Sequence, residues 1–224
     1  MLAVSVAILS PHLDDAVLSA WSVLRRSGPV TVVNVCAGVP PPGPPPRWDR
    51  LTGARDAAER MRERLAEDRA ALARAGREAV YLDFLDEQYR TEPLDPAALA
   101  VALSEAAAGA TELWAPAGIG SHPDHVQVRE AALELAGGDR ALEVRLYADI
   151  PYVLRSGWPE GGEAHVLSRL EVRRKLRALR DYRTQWAGLA TWTDGAIRRG
   201  GVMRREASYA APAVSTPVPS TRAR

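Results

Sequence analysis

The sequence predicts an α/β fold: a single Rossmann-like domain with a mostly parallel sheet and helices on both faces. Three observations predict it. Runs of β-branched residues alternate with segments of helical periodicity, the second run follows the first helix closely enough to complete a strand–helix–strand unit, and no shift in composition divides the 224 residues.

Val4 to Leu9 is a β-prone run, after which Asp14 to Arg26 places Val17, Leu18, Trp21 and Leu24 at helical spacing. Val30 to Val35 is a second β-branched run, which completes a strand–helix–strand unit. The stretch VPPPGPPPRWDRLTG, residues 39–53, reads as a long loop, because proline fixes φ and removes backbone donors. Ala54 to Ala75 is rich in Ala, Arg and Glu and stops at Gly76, as a helix does. Glu78 to Leu85 reads as a third strand, Pro96 to Ala108 as a helix, and Glu112 to Ala117 as a fourth strand that runs into GIGSHPDH. Val126 to Ala136 is helical up to Gly137-Gly138, and Leu142 to Ile150 is a further strand. Leu167 to Trp186 reads as one basic helix carrying Leu170, Leu176, Leu179 and Tyr182. Residues 1–209 are thus expected to form the domain, and 210–224, mixed in Pro, Ser, Thr and Ala, a flexible tail.

Composition narrows the function. Twenty-nine basic residues against 28 acidic ones leave a formal charge of +1, which gives no field for nucleic acid or an anionic membrane. Cys36 is the one cysteine, so neither an internal disulfide nor a cysteine-rich zinc module is available. The opening LAVSVAIL lacks a basic flank and runs into the charged HLDD, and no stretch is long enough for a membrane span; a cytoplasmic protein is expected. Nothing in the sequence speaks to oligomeric state.

Function must come from a site, and the histidines indicate where. Three of four, His12, His122 and His125, fall in PHLDD and SHPDH, each close to aspartates and each after a strand. In a doubly wound sheet, ligands bind beyond the carboxyl ends of the strands. If the first and fourth strands are neighbours, the two stretches share one crevice. Imidazole with carboxylate suits a borderline divalent ion, and a catalytic zinc takes three protein ligands and keeps one position open. His12 and Asp15, three apart at a strand-to-helix turn, can converge on one ion with His125 as the third ligand. Asp14 and His122 are then left as a base and an oxyanion-stabilising partner. Asp124 can orient His122 or another ring. Helix capping would account for the aspartates but for none of the histidines. His165, in GGEAHVL, lies away from acidic groups and reads as surface or structural.

These motifs resemble the PIG-L or LmbE-like zinc-dependent N-acetylglucosaminyl deacetylases, whose pattern is (A/P)HxDD after the first strand and HPDH after a later one. The resemblance implies zinc on His12, Asp15 and His125, Asp14 as general base, and His122 polarising the carbonyl. It further implies Arg64, in an R-x-x-E pair with Glu67, and Asp86, in FLDEQ, as substrate contacts, and YADIPY as part of the substrate wall. Leu13 and Ala16 depart from the commoner AHPDDE form, which leaves the metal set intact but weakens the match to thiol-cofactor deacetylases. The expected activity is removal of an N-acetyl or other acyl group from an amino sugar or glycoconjugate, with Zn2+, or Fe2+ or Co2+ on the same ligands. The alternative is the same metal chemistry on a non-sugar amide or acyl group of a natural product. A dinucleotide-binding protein is disfavoured because no G-x-G-x-x-G follows the first strand. A metal-binding protein without turnover would need neither Asp14 nor His122.

Overall fold

The computed structural model describes residues 5–138, 142–199 and 201–211. Its first half runs β1 (Val6–Ser10), α1 (Asp15–Ser19), α2 (Trp21–Leu24), β2 (Val30–Asn34), α3 (Arg47–Leu51), α4 (Ala57–Ala75) and β3 (Ala79–Tyr81). A short 3₁₀ turn, Glu87–Tyr89, precedes α5 (Pro96–Ala106), β4 (Glu112–Pro116), α6 (Pro123–Gly138) and β5 (Glu143–Tyr147). The chain closes with α7 (Val153–Ser156), β6 (Glu163–Val166), α8 (Arg169–Leu179), α9 (Arg183–Trp192), two further 3₁₀ turns and β7 (Arg205–Ala210).

Among the described residues, seven strands form one sheet in the order β3-β2-β1-β4-β5-β7-β6. The first five are parallel, and β7 pairs antiparallel with both β5 and β6. β1 lies beside β4, with Ile8 opposite Trp114, so winding reverses between them and their carboxyl ends open onto one crevice. Side-chain alternation divides the core. Val6, Ile8 and Trp114 face the layer of α1, α2, α4, α8 and α9, whereas Ala7, Leu9, Leu113 and Ala115 face α5 and α6. All of β1 is buried, as expected of a parallel strand covered on both faces.

Helix ends follow local chemistry. Asp56 caps α4 by accepting from the Glu59 amide, and Gly76 ends it at φ +70, in the left-handed region. Asp95 caps α5 ahead of Pro96.

Several expectations are corrected. The helix expected over Asp14 to Arg26 breaks at Ala20, because the Glu206 carboxylate accepts from the Trp21 and Ser22 amides at 2.9 Å and starts α2 anew. Within the proline-rich segment, RWDRL is helical (α3), since the prolines end at Pro46 and leave its amides free. The basic helix expected to run through to Trp186 stops at Leu179, and α9 begins at Arg183, where Glu67 holds the Thr184 amide and hydroxyl. α6 begins at Pro123, so three of the five residues of SHPDH are already helical, and it continues through Gly138. β7 lies in a stretch for which no strand was expected, and the tail from 212 onward lies outside the described residues.

Candidate functional site

The β1–α1 turn is built by its own polar atoms. Ser10 Oγ donates to the His12 carbonyl at 2.6 Å and accepts from the Ala16 amide at 3.0 Å, while Asp15 Oδ2 accepts from the His12 amide at 2.8 Å. The Asp15 carboxylate is thereby folded back beside the His12 ring. Asp14 occupies the N-cap position of α1 yet makes no capping hydrogen bond, and it borders a cavity of about 300 Å³.

From across the switch point, α6 brings His125 to the same place. His125 Nε2 is 3.2 Å from Asp15 Oδ2 and 3.3 Å from His12 Nδ1, and His12 Nδ1 is 3.4 Å from Asp15 Oδ2. Three donor atoms thus form a nearly equilateral triangle. A four-coordinate zinc with ligands at about 2.0–2.1 Å spaces its donors about 3.3–3.4 Å apart, so the spacing of this set fits such an ion.

Each ring is held from behind. His12 Nε2 meets Asp124 Oδ2 at 2.9 Å, and His125 Nδ1 meets Asp149 Oδ1 at 2.7 Å. In the neutral rings this places the proton on His12 Nε2 and His125 Nδ1, and the other nitrogen of each ring faces Asp15. Asp124 is itself held by Arg90 and the Glu87 amide, and Asp149 by the Ile119 amide at 2.9 Å.

Other donor groups come close. His12, His122 and His125 present nitrogens within 4.8 Å of one another, and His12, Asp86 and Asp124 form a second such group. In the second group Arg90 neutralises Asp124 and Gln88 occupies Asp86, so it is the poorer fit to a cation.

Burial and neighbouring charge set the protonation states. Burial, reinforced by the charge of Asp15, pushes the Asp14 carboxyl up to about 7. Burial, with the charges of His12 and His125, pulls His122 down to about 4. For His125, burial opposes protonation, but Asp15 and Asp149 outweigh it and raise the ring to about 9. His12 is raised by Asp86, Asp124 and Asp15 against the effect of its burial, and Asp15 and Asp124 are lowered by the rings against theirs. The carboxylates therefore favour positive charge at the triangle, whether proton or metal.

His122 precedes α6 and stands edge-on to His12 with centroids 4.8 Å apart; its Nδ1 accepts from the Asp124 amide at 3.3 Å. The loop before it needs Gly120, at φ +83, where a Cβ would come within 2.7 Å of the Tyr152 ring. Tyr152 packs edge-on against both His125 and Trp192 and forms a cavity wall.

His12, Asp14, Asp15, His122, Arg64 and Asp86 all border the cavity, whereas His125 and Asp124 are fully buried beneath it. The R-x-x-E pair divides: Arg64 is bound by Asp49 and Tyr89 at the cavity edge, and Glu67 anchors the start of α9. Asp86 accepts from the Gln88 amide and side chain. His165 sits on β6, bonded to Ser208 and tilted against Trp114. Asp149 was missed as a ring partner, although its place at the end of a predicted strand was a usable signal. Gln185 and Trp192 were missed because α9 was not recognised.

Solved structures share this architecture. The A40926 pseudoaglycone deacetylase is 29% identical, with a TM-score of 0.70 over 92% of this chain and 96% of that one. A triple mutant of a deacetylase of the teicoplanin biosynthetic pathway is 28% identical, with a TM-score of 0.74 over 92% and 97%. The chain has the fold of these LmbE/PIG-L-like deacetylases. A 4-carboxy-2-hydroxymuconate hydratase from Pseudomonas putida also matches, at 16% identity and a TM-score of 0.65 over 96% and 100%, a likeness that shows the fold alone. No protein-family model and no curated protein matches the chain. Among the described residues, no helix is long and apolar enough to cross a membrane.

Proposed function

We propose that the chain is a metal-dependent N-deacetylase acting on an amino sugar or its conjugate, with His12, Asp15 and His125 as the metal ligands. The donor triangle beneath a cavity that Asp14 and His122 also border carries this reading. The two deacetylases above 25% identity support the reaction class. Zinc suits the two imidazoles and one carboxylate, and Fe2+ or Co2+ accepts the same donors. When bound, such an ion acidifies water and polarises the amide carbonyl.

The protein's own groups move the protons. Asp14, held near the pKa of a neutral-pH base by burial, takes a proton from the attacking water and passes it to the leaving amine as the C–N bond breaks. Water and amide thus become acetate and a free amino group. His122 stays neutral because burial lowers its pKa. Since its Nδ1 accepts from the Asp124 amide, the proton sits on Nε2, where it donates to the developing oxyanion. Asp124 and Asp149 fix the two metal-facing rings, and Arg64 and Asp86 border the space for the substrate.

The test is acetate release by metal-replete protein from a panel of N-acetylated sugars and N-acetylated non-sugar amines. Release from sugars that is lost in Asp14→Asn is the expected result. Release from non-sugar amines alone would transfer the chemistry to another substrate class, and no release from either would refute the reading.

A further inference from the structure

α9 lays one stripe of its surface over the cavity. Gln185, Leu189 and Trp192 stand at i, i+4 and i+7, the spacing of a single helical face, and all three line the space. Gly188, on the same face, receives the indole of Trp48: a Cβ there would lie 2.8 Å from the ring. Trp48 lines the cavity as well, so the proline-rich segment and α9 close it together.

Residues of this lining carry buried polar atoms that lack partners. Among the described residues, six buried side-chain polar atoms make no hydrogen bond, and three of them, Arg64 Nε, Gln88 Oε1 and Gln185 Nε2, belong to residues of this one cavity. Gln185 is 8% exposed, so little water reaches it. The Gln88 amide is oriented by Asp86, whose Oδ2 takes Gln88 Nε2 at 2.9 Å and leaves Oε1 unanswered. Buried polar atoms are almost always paired, and those that are not call for a ligand or an ordered water.

We propose that Gln88 and Gln185 are the specificity-determining residues of this site, recognising a polyhydroxylated ring: Gln88 Oε1 accepts from one hydroxyl and Gln185 Nε2 donates to another ring oxygen. The Trp48 and Trp192 indoles supply apolar faces for the C–H surfaces of the ring. An apolar acylamide would fill the same volume but leave both amides unpaired, and sites built around a ligand hydroxyl reject analogues that lack it. The inference rests on the deacetylase reading and deepens it by naming the side chains that recognise the sugar ring.

Gln88→Leu and Gln185→Leu, with N-acetylglucosamine and N-acetylcyclohexylamine as paired substrates, test it. Each variant should lower kcat/KM for the sugar by about five- to ten-fold, chiefly through KM, and leave the hydroxyl-free analogue and the bound metal unchanged. A sugar-to-cyclohexyl ratio unaltered in both variants would overturn the assignment. Should the wild type release acetate from no member of the panel of sugars and amines, the deacetylase reading fails, and calorimetric binding of glucosamine decides the remaining question. Binding that weakens in both variants supports the two glutamines, and equal or absent binding rules them out.

Discussion

His125 Nδ1 lies 2.7 Å from Asp149 Oδ1, and the other Asp149 oxygen takes the Ile119 amide at 2.9 Å. A carboxylate just beyond β5 thereby orients a ring at the start of α6, so the two sides of the crevice are locked to each other through His125. Replacing Asp149 with Asn keeps the shape but reverses one hydrogen-bonding group. Metal affinity, read by competition with a chromophoric chelator, should fall about 10- to 100-fold.

Asp14 gives the opposite signature. Its side chain caps nothing and lies outside the donor triangle. Asp14→Asn should bind one equivalent of metal and lose about 100-fold or more in kcat. Loss of metal together with activity would place Asp14 among the ligands instead.

Much of this site was legible in the sequence because its residues sit in two short motifs at strand ends, and β1 pairing with β4 is what the reversal of winding requires. The outer wall was not legible. α8 and α9 form a continuous apolar period, and the break between them comes from Glu67, more than a hundred residues earlier, capturing the Thr184 amide. Similarly, the division between α1 and α2 is made by Glu206 from the last strand. Local pattern carries no record of such distant carboxylates.

Glu206 also pairs with Lys175 at 2.7 Å, both groups being fully buried. Removing one member leaves an uncompensated charge in the core. Glu206→Ala should destabilise the fold by about 3–5 kcal/mol, whereas the double change Lys175→Met/Glu206→Leu should recover part of that loss; denaturant titration reads both.

Asp68 supplies a pH signature. It accepts from Asn34, Tyr81 and Tyr182, yet burial outweighs these bonds and raises its carboxyl to about 6. The folded state therefore holds this proton more tightly than the unfolded chain, so the contribution is present at low pH and lost as pH rises from about 4 through about 6. The stability difference between wild type and Asp68→Asn should narrow or reverse over that window, as followed by denaturant titrations at stepped pH.

Gly120 combines a φ of +83 with a Cβ position 2.7 Å from Tyr152. Gly120→Ala should lower stability by about 1–3 kcal/mol and disturb the Tyr152 wall, raising KM more than it lowers kcat.

Hydrolysis is expected to depend on an ion held by the His12, Asp15 and His125 triangle. The most direct test is acetate release from an N-acetylated sugar by chelator-stripped protein during titration with zinc. Activity absent at the start and rising to a plateau at one equivalent is the expected result; full activity in the stripped protein would show that hydrolysis does not depend on an ion at this triangle.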